Sequence, residues 1–242
     1  MQYRYICSDN FEYLASGSVL IHKAGHPGFP VRLAGEIFMR CLSATGTQSA
    51  ILFDPCCGGA YMLTVLGLLF GKHIKMIYGS DISPESIELA RANLSLLTRE
   101  GLTRRRMQLS EKYEMYKKPS HATAIRHVDL IAETLTEPTE SIVFQADALL
   151  RDAFESTGFK ASIVITDVPY GNLTDWRGNI AEQDGLIHSM LHAITPVLAE
   201  NAVVAICYNK AQKIRLEDIG YEYSRIERFQ CGKRKIEILR RG

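Results

Sequence analysis

The chain has 242 residues, room for one large domain or two small ones. Apolar residues make up 46% and charged residues 23%, a balance that excludes a disordered or a fibrous protein. Lys and Arg (28) nearly cancel Asp and Glu (27), so a nucleic-acid surface would have to come from local clustering of charge and not from a global excess.

An irregular opening rich in Gly and Pro (Gly17, Gly25, Pro27, Gly28, Pro30) gives way to a helical pattern over Val31–Leu42, with Leu33, Ile37, Phe38 and Cys41 at helical spacing. Ala50–Phe53 is a short apolar strand ending in Asp54 and a glycine-containing turn. Ala60–Phe70, apolar on all sides, predicts a helix packed under a sheet. Lys75–Ser80 is a second strand, closed by Asp81. Ser83 and Pro84 then form a helix start, a capping hydroxyl followed by a proline where no N–H is missed. Residues 99–135 interrupt the alternation with helical composition, which predicts an inserted helical pair. Ser141–Gln145, Ala161–Thr166 and Ala202–Cys207 are further strands, with helical patterns at Ala148–Glu155 and Glu182–Leu198 between them. Tyr221–Arg240 reads as two strands joined around Cys231 and Gly232. Alternating strands and helices predict an α/β, doubly wound, Rossmann-like sheet, mostly parallel with an antiparallel C-terminal strand. The expected organisation is one domain over residues 1–242, with a helical insertion at 99–135 and an N-terminal extension and helix over 1–44.

Ligands of such sheets bind beyond the carboxyl ends of the strands. Four successive strands deliver an acid there: Asp54, Asp81, Asp147 and Asp167. Gly58 and Gly59 allow a tight turn with close backbone approach to a ligand. Asp81, 23 residues beyond Gly58, is placed to accept from a ribose hydroxyl. The segment Asp167-Val168-Pro169-Tyr170-Gly171 is the most specific feature. An exocyclic base amine is a poor nucleophile because its lone pair is delocalised. The Asp167 carboxylate and the Val168 carbonyl are two acceptors for its N–H bonds, Pro169 biases Val168 to extended geometry, and Tyr170 is suited to stack on the base.

DPCCGGAYM, YGSDIS, QADAL and TDVPYG, in that order, resemble the successive motifs of class I S-adenosylmethionine-dependent methyltransferases acting on nucleic-acid base nitrogens. More closely, GSVL, HPGFPVRLAGEIF, DPCCGGAYMLTVLGLL, NLSLLT, KKPS and TDVPYG resemble the AviRa-type, avilamycin-resistance ribosomal RNA methyltransferases along almost the whole chain. The resemblance implies S-adenosyl-L-methionine as cofactor, a guanine nitrogen of large-subunit (23S) ribosomal RNA as methyl acceptor, and resistance to orthosomycin antibiotics. It assigns Asp54, Cys57, Gly58 and Gly59 to the methionine part of the cofactor, Asp81 and Ile82 to ribose and adenine, and Asp147 with Ala148 to the adenine amino group and face. Asp167, Val168, Pro169 and Tyr170 become the clamp on the target base. Two departures stand out: Ala60 replaces a common glycine, and Val168 replaces the first proline of the usual D/N-P-P-Y motif. The sequence does not choose among N1, N2 and N7 of guanine.

Arg104, Arg105, Arg106, Lys112, Lys117 and Lys118 against Glu111 and Glu114 give a net charge of +4 in fifteen residues, and Arg225 to Arg241, including Lys233 and Arg234, gives +5 in seventeen. Such clusters are the expected contacts to RNA phosphates. Competing readings are ribose 2′-O methylation with Asp167 and Lys210, a nicotinamide-dependent oxidoreductase using Gly58 and Asp81, and a non-catalytic RNA-binding relative. No metal site is expected: His22, His26 and His121 lack partners at ligand spacing, and the six cysteines, without a C-x-x-C pair, read as reduced packed thiols. Ala60–Phe70, the longest mainly apolar run, falls short of the about 20 residues a bilayer span needs. With no secretory signal legible at the start, a cytoplasmic protein with no membrane partner is expected.

Overall fold

The computed structural model describes residues 2–6, 10–14, 18–22, 28–168, 180–210 and 222–242, with the side chains of 180–184 left aside. Seven strands form one sheet in the order β3-β2-β1-β4-β5-β7-β6. They are β1 (Ala50–Asp54), β2 (Ile74–Asp81), β3 (Ser141–Gln145), β4 (Ala161–Asp167), β5 (Leu198–Asn209), β6 (Tyr223–Cys231) and β7 (Arg234–Arg241). β1 to β5 pair in parallel, whereas β7 runs antiparallel to both β5 and β6. Reversal of β7 has a direct consequence. Its first residue, Arg234, pairs with Asn209 at the end of β5, so it stands at the rim where the parallel strands finish.

Three helices, α1 (Val31–Thr45), α2 (Tyr61–Phe70) and α3 (Pro84–Leu94), cover one face of the sheet. The buried stripe Leu33, Ile37, Phe38 and Cys41 of α1 joins Leu52, Ile163 and Ala205 of the strands in a single core. Gly46, at φ +70°, closes α1 in the left-handed conformation that glycine adopts without a Cβ clash. The cap of α3 follows the sequence expectation: the Ser83 hydroxyl accepts from Ser86 N at 3.3 Å and Pro84 occupies the first turn. Helices α6 (Asp152–Glu155) and α7 (Ile180–Ile194) cover the other face, where Ile187, Met190, Leu191 and Ile194 pack on Val164, Val204 and Leu239.

The all-round apolar character of α2 has a structural cause. Leu63 and Leu66 face the sheet, while Val65 belongs to a second cluster with Leu14, Val19 and Leu20 of the N-terminal segment and Leu102, Leu109, Val128 and Ile131 beyond the sheet. The last four come from α4 (Arg99–Tyr116) and α5 (Pro119–Thr134), an antiparallel pair turned at Lys117. The helix is therefore covered on two sides.

Two boundaries differ from the sequence reading. The pattern over Ala148–Glu155 yields a single helical turn, because the Asp147 carboxylate accepts from Leu149 N at 2.9 Å and its carbonyl from Leu150 N, a side-chain turn that competes with the helix. Leu198, placed at the end of a helix by its spacing from Ile194, instead opens β5 opposite Ala161 after a 3₁₀ turn containing Pro196. Both leucine environments are apolar, so periodicity alone does not distinguish them.

Candidate active site

The site is built on the turn after β1. Asp54 Oδ1 accepts from Cys56 N at 3.0 Å, and the Cys57 N–H reaches across to the Ser80 carbonyl at 2.8 Å. The Ser80 hydroxyl returns a bond to the Pro55 carbonyl at 3.1 Å, fastening the turn to the end of β2. Asp81 binds from both oxygens: Oδ2 accepts from Gly58 N and Oδ1 from Ser83 N, each at 2.9 Å. It thus ties the glycine turn to the start of α3 and retains acceptor lone pairs besides. Gly58 has φ +53°, and the direction a Cβ would take is open space. Ala60, also left-handed at φ +54° and fully buried, carries a strain that a glycine at that position would avoid.

Asn93 is a residue that the sequence reading passed over, although it opens the quoted NLSLLT segment. It is fully buried on α3. Its Nδ2 donates to the Gly59 carbonyl at 2.8 Å and to the Ile21 carbonyl at 2.9 Å, and its Oδ1 accepts from Ile21 N at 2.7 Å. One amide therefore fixes the glycine turn and the N-terminal segment to the same helix. An Asn on the apolar stripe of a helix was the available signal, since a buried amide needs polar partners.

At the ends of β2 and β3, Ala146 N donates to the Asp81 carbonyl at 3.1 Å and Gln145 Nε2 to the Ile82 carbonyl at 3.1 Å. Ile82 is 61% exposed, an apolar face at the rim, while Ala148, which follows Asp147, is buried. Beyond β4, Val168 is buried and its N–H donates to the Cys207 carbonyl at 3.0 Å. Pro169, Tyr170 and Gly171 lie outside the described residues, as does His26.

The four acids do gather electrostatically. Burial pushes the Asp54 carboxyl up to about 7; the Cys56 N–H opposes this, and the negative charges of Asp167 and Asp81 add to it. The Asp167 carboxyl is raised to about 6 by burial, held back by the charge of Arg234 and by its hydrogen bonds. Cys56 feels Asp54, Asp81 and Asp147 together, and burial with those charges drives its thiol far above the ordinary range. Burial likewise raises the thiols of Cys57, with Asp54 and Asp81 adding to it, and of Cys207, with Asp167 adding to it. Burial therefore disfavours the thiolate, the form in which a cysteine acts as a nucleophile.

Arg234 lies in the site itself, not among solvent-facing residues. Its side chain is 23% exposed, Nε and Nη2 approach Oδ1 and Oδ2 of Asp167 at 3.4 and 3.3 Å, and its guanidinium sits 5.1 Å from the centroid of the Phe29 ring. The other basic residues are distributed differently. Arg104 is exposed, whereas Arg105 is partly buried and donates to the Val19 and Ser18 carbonyls. Arg106 pairs with Asp129 of α5 at 2.7 Å, Lys117 pairs with Glu114, and Lys118 lies over the Tyr116 ring. Lys233 is exposed in the β6–β7 turn. Arg91, Arg104 and Arg105 line a cleft of about 330 Å³ between α3 and α4. Among the described residues no group of His, Cys, Asp and Glu is arranged to hold a metal ion, and no helix is long and apolar enough to cross a membrane.

A mostly parallel seven-stranded sheet with a reversed seventh strand inserted beside the fifth, and an acid-bearing rim around a glycine turn, define a class I methyltransferase fold. Residues 1–234 match the family profile for the rRNA methyltransferase AviRa. The chain is 35% identical over 235 residues to a 23S rRNA (guanine(2535)-N(1))-methyltransferase of Streptomyces viridochromogenes, covering 94% of this chain and 90% of the relative. The solved structure of rRNA methyltransferase AviRa from that organism superposes with a TM-score of 0.88 at 33% identity, over 99% of this chain and 96% of that one. A proposed class I S-adenosylmethionine-dependent methyltransferase from Listeria monocytogenes shares the fold alone, with a TM-score of 0.54 at 12% identity over 91% of this chain and 62% of that one. The chain belongs to the AviRa family of rRNA methyltransferases. That membership removes the oxidoreductase reading of Gly58 and Asp81.

Proposed function

We propose that this protein transfers a methyl group from S-adenosyl-L-methionine to N1 of a guanine in 23S ribosomal RNA, with Asp167 as the group that takes the N1 proton. The observation that carries this reading is a carboxylate at the end of β4 that is mostly buried, raised to about 6, and adjacent to the Val168 carbonyl. Guanine N1 bears a proton, and its lone pair is delocalised into the ring. Transfer at N1 therefore needs an acceptor for that proton. Asp167 is ionised at neutral pH and its raised proton affinity brings it closer to that task. The N1–H and N2–H donors of guanine match one carboxylate and one carbonyl, whereas adenine presents an acceptor at N1. Bound S-adenosyl-L-methionine would supply the methyl group and would leave as the neutral thioether, while Asp167 would take the N1 proton that the new bond displaces.

The donor set suits a cationic nucleoside. Asp81 sets a negative charge against the turn with the buried Asp54 carboxyl close by, open space lies above Gly58, and Ile82 offers an apolar surface to a purine. S-adenosyl-L-methionine, when bound, supplies an electrophilic methyl on a positively charged sulfur. In this reading Asp54, Cys57, Gly58 and Gly59 hold its methionine part, Asp81 and Ile82 its ribose and adenine, and Asp147 with Ala148 the adenine edge. Pro169 and Tyr170 complete the base clamp. The whole chain acts as one methyltransferase domain whose 99–135 insertion meets the RNA, in the cytoplasm where ribosomes are made, and avilamycin resistance is the expected outcome for the host.

Digestion of 23S rRNA after incubation with labelled cofactor tests the proposal. N1-methylguanosine is expected, and labelled N2- or N7-methylguanosine overturns the assignment of atom and base. For the RNA surface, Arg104→Ala should weaken binding modestly and reduce the slope of log affinity against log salt by about one, as expected for one lost phosphate contact. An unchanged slope in filter-binding or fluorescence titrations removes Arg104 from the interface.

A further inference from the structure

The reversed β7 and the segment before α1 converge on Asp167 from outside the parallel sheet. Arg234 opens β7 and brings two nitrogens to the two carboxylate oxygens at 3.4 and 3.3 Å. Behind it, the Phe29 ring, itself buried, lies 5.1 Å from the guanidinium carbon. Phe29 packs in the same core cluster as Ile236 of β7 and Leu33 of α1, so the ring is not free to drift. The guanidinium is thus sandwiched between an aromatic face and a carboxylate, a geometry suited to a planar cation that stacks and forks at once.

We infer that Arg234, backed by Phe29, is a positioning residue for Asp167: it fixes the orientation of the carboxylate and keeps it charged so that it can receive a proton from the base. This inference rests on the reading of Asp167 as the proton acceptor. Among the described residues, the groups coupled to Asp167 from the neighbouring strands are Asp54 on β1, Cys207 on β5 and Arg234 on β7. The Cys207 thiol is pushed up by burial, and Asp54, raised to about 7, takes its proton before Asp167 does, so what Arg234 opposes is the burial of the Asp167 carboxylate. Burial without it drives the carboxyl further up, and a protonated Asp167 has no capacity to accept from guanine N1.

The experiment compares the parent with Arg234→Gln, Arg234→Lys and Phe29→Leu, using full-length protein and the ribosomal RNA substrate. Single-turnover methyl transfer is followed from pH 5.5 to 9, and the Asp167 carboxyl is titrated by carbon-13 NMR in the absence of RNA, which separates it from Asp54. Arg234→Gln should move the Asp167 titration and the acidic limb of the rate profile up by about one unit, roughly a tenfold loss on the limb that alkaline pH recovers. Arg234→Lys should restore most of the shift, because the charge returns without the fork. Phe29→Leu should give a smaller displacement in the same direction. A uniform loss at every pH with an unmoved carboxyl titration, as from a lost RNA contact or a damaged fold, overturns the inference. So does an Arg234→Gln enzyme with the parent's profile. If the carboxyl titration moves as described but Asp167→Asn retains full activity, the ion-pair role stands and the proton-acceptor reading falls.

Discussion

Asp167→Asn should lower single-turnover methyl transfer by about 10²- to 10⁴-fold, the usual range for losing a positioned general base, with cofactor affinity little changed. The asparagine preserves size and keeps one oxygen for Arg234, so what is lost is the capacity to take a proton. Stability should not fall with activity. A folded-state carboxyl raised to about 6 from an ordinary value of 3.8 binds its proton more tightly in the fold than in the unfolded chain. Its contribution to stability is therefore full below about pH 4 and is lost as pH rises through about 6. Asp54, raised to about 7, behaves in the same way over a wider window. At pH 7.5 the asparagine variant is thus expected to melt no lower than the parent, and its melting temperature should fall less between pH 5 and 7.5. A variant that melts well below the parent at pH 7.5 would show that Asp167 is required for the fold, and its lost activity would then carry no information about proton transfer.

Glu36→Ala should produce the opposite result, a large loss of stability. Glu36 is completely buried on α1, and its carboxylate accepts from the backbone N–H groups of Arg4, Tyr5 and Ile6 at 2.8, 2.9 and 3.1 Å and from Arg40 Nε at 2.8 Å. Burial alone pushes this carboxyl up, but the four donors outweigh it and its affinity for a proton ends below the usual value. Its stabilisation is present above the ordinary carboxylate range and is lost as pH falls below it. Alanine leaves three N–H groups without their acceptor and removes one partner of buried Arg40, which retains Glu227. A loss of about 3 to 5 kcal/mol in urea unfolding is expected. The damage should extend toward the active site, because Arg32, which donates to the Ile6 carbonyl, also lies over the Tyr3 ring, and Tyr3 neighbours Cys231 at the end of β6. A loss below about 1 kcal/mol would mean that residues 2–6 contribute little to the fold.

The sheet was legible because its strands carry apolar runs bounded by Gly, Pro and Asp, and the rim acids because each terminates such a run. Ser141–Gln145 even has the same limits in sequence and structure. The residues around those acids were less legible. Arg234 stands in a basic stretch that resembles any solvated face; only the antiparallel register of β7 with β5 carries it to Asp167, 67 positions away. Asn93 and Glu36 were hidden for a related reason. Most of their partners are backbone groups, chiefly of the N-terminal segment, and a side chain that binds main chain leaves no complementary residue type in the sequence. The left-handed Ala60 was noted as a departure, yet its strain depends on a backbone angle that composition does not reveal.

Covering α2 on two sides has implications for engineering this molecule. Val65 on its outer surface relies on Leu102, Leu109 and Val128 for shelter, and the same helix begins at the turn that Gly58 and Gly59 form. Excising residues 99–134 to make a smaller protein would wet the outer side of the helix that follows the glycine turn. Swapping the hairpin for one with altered outward residues but an unchanged inner stripe would change the surface it presents while leaving that side of the helix dry.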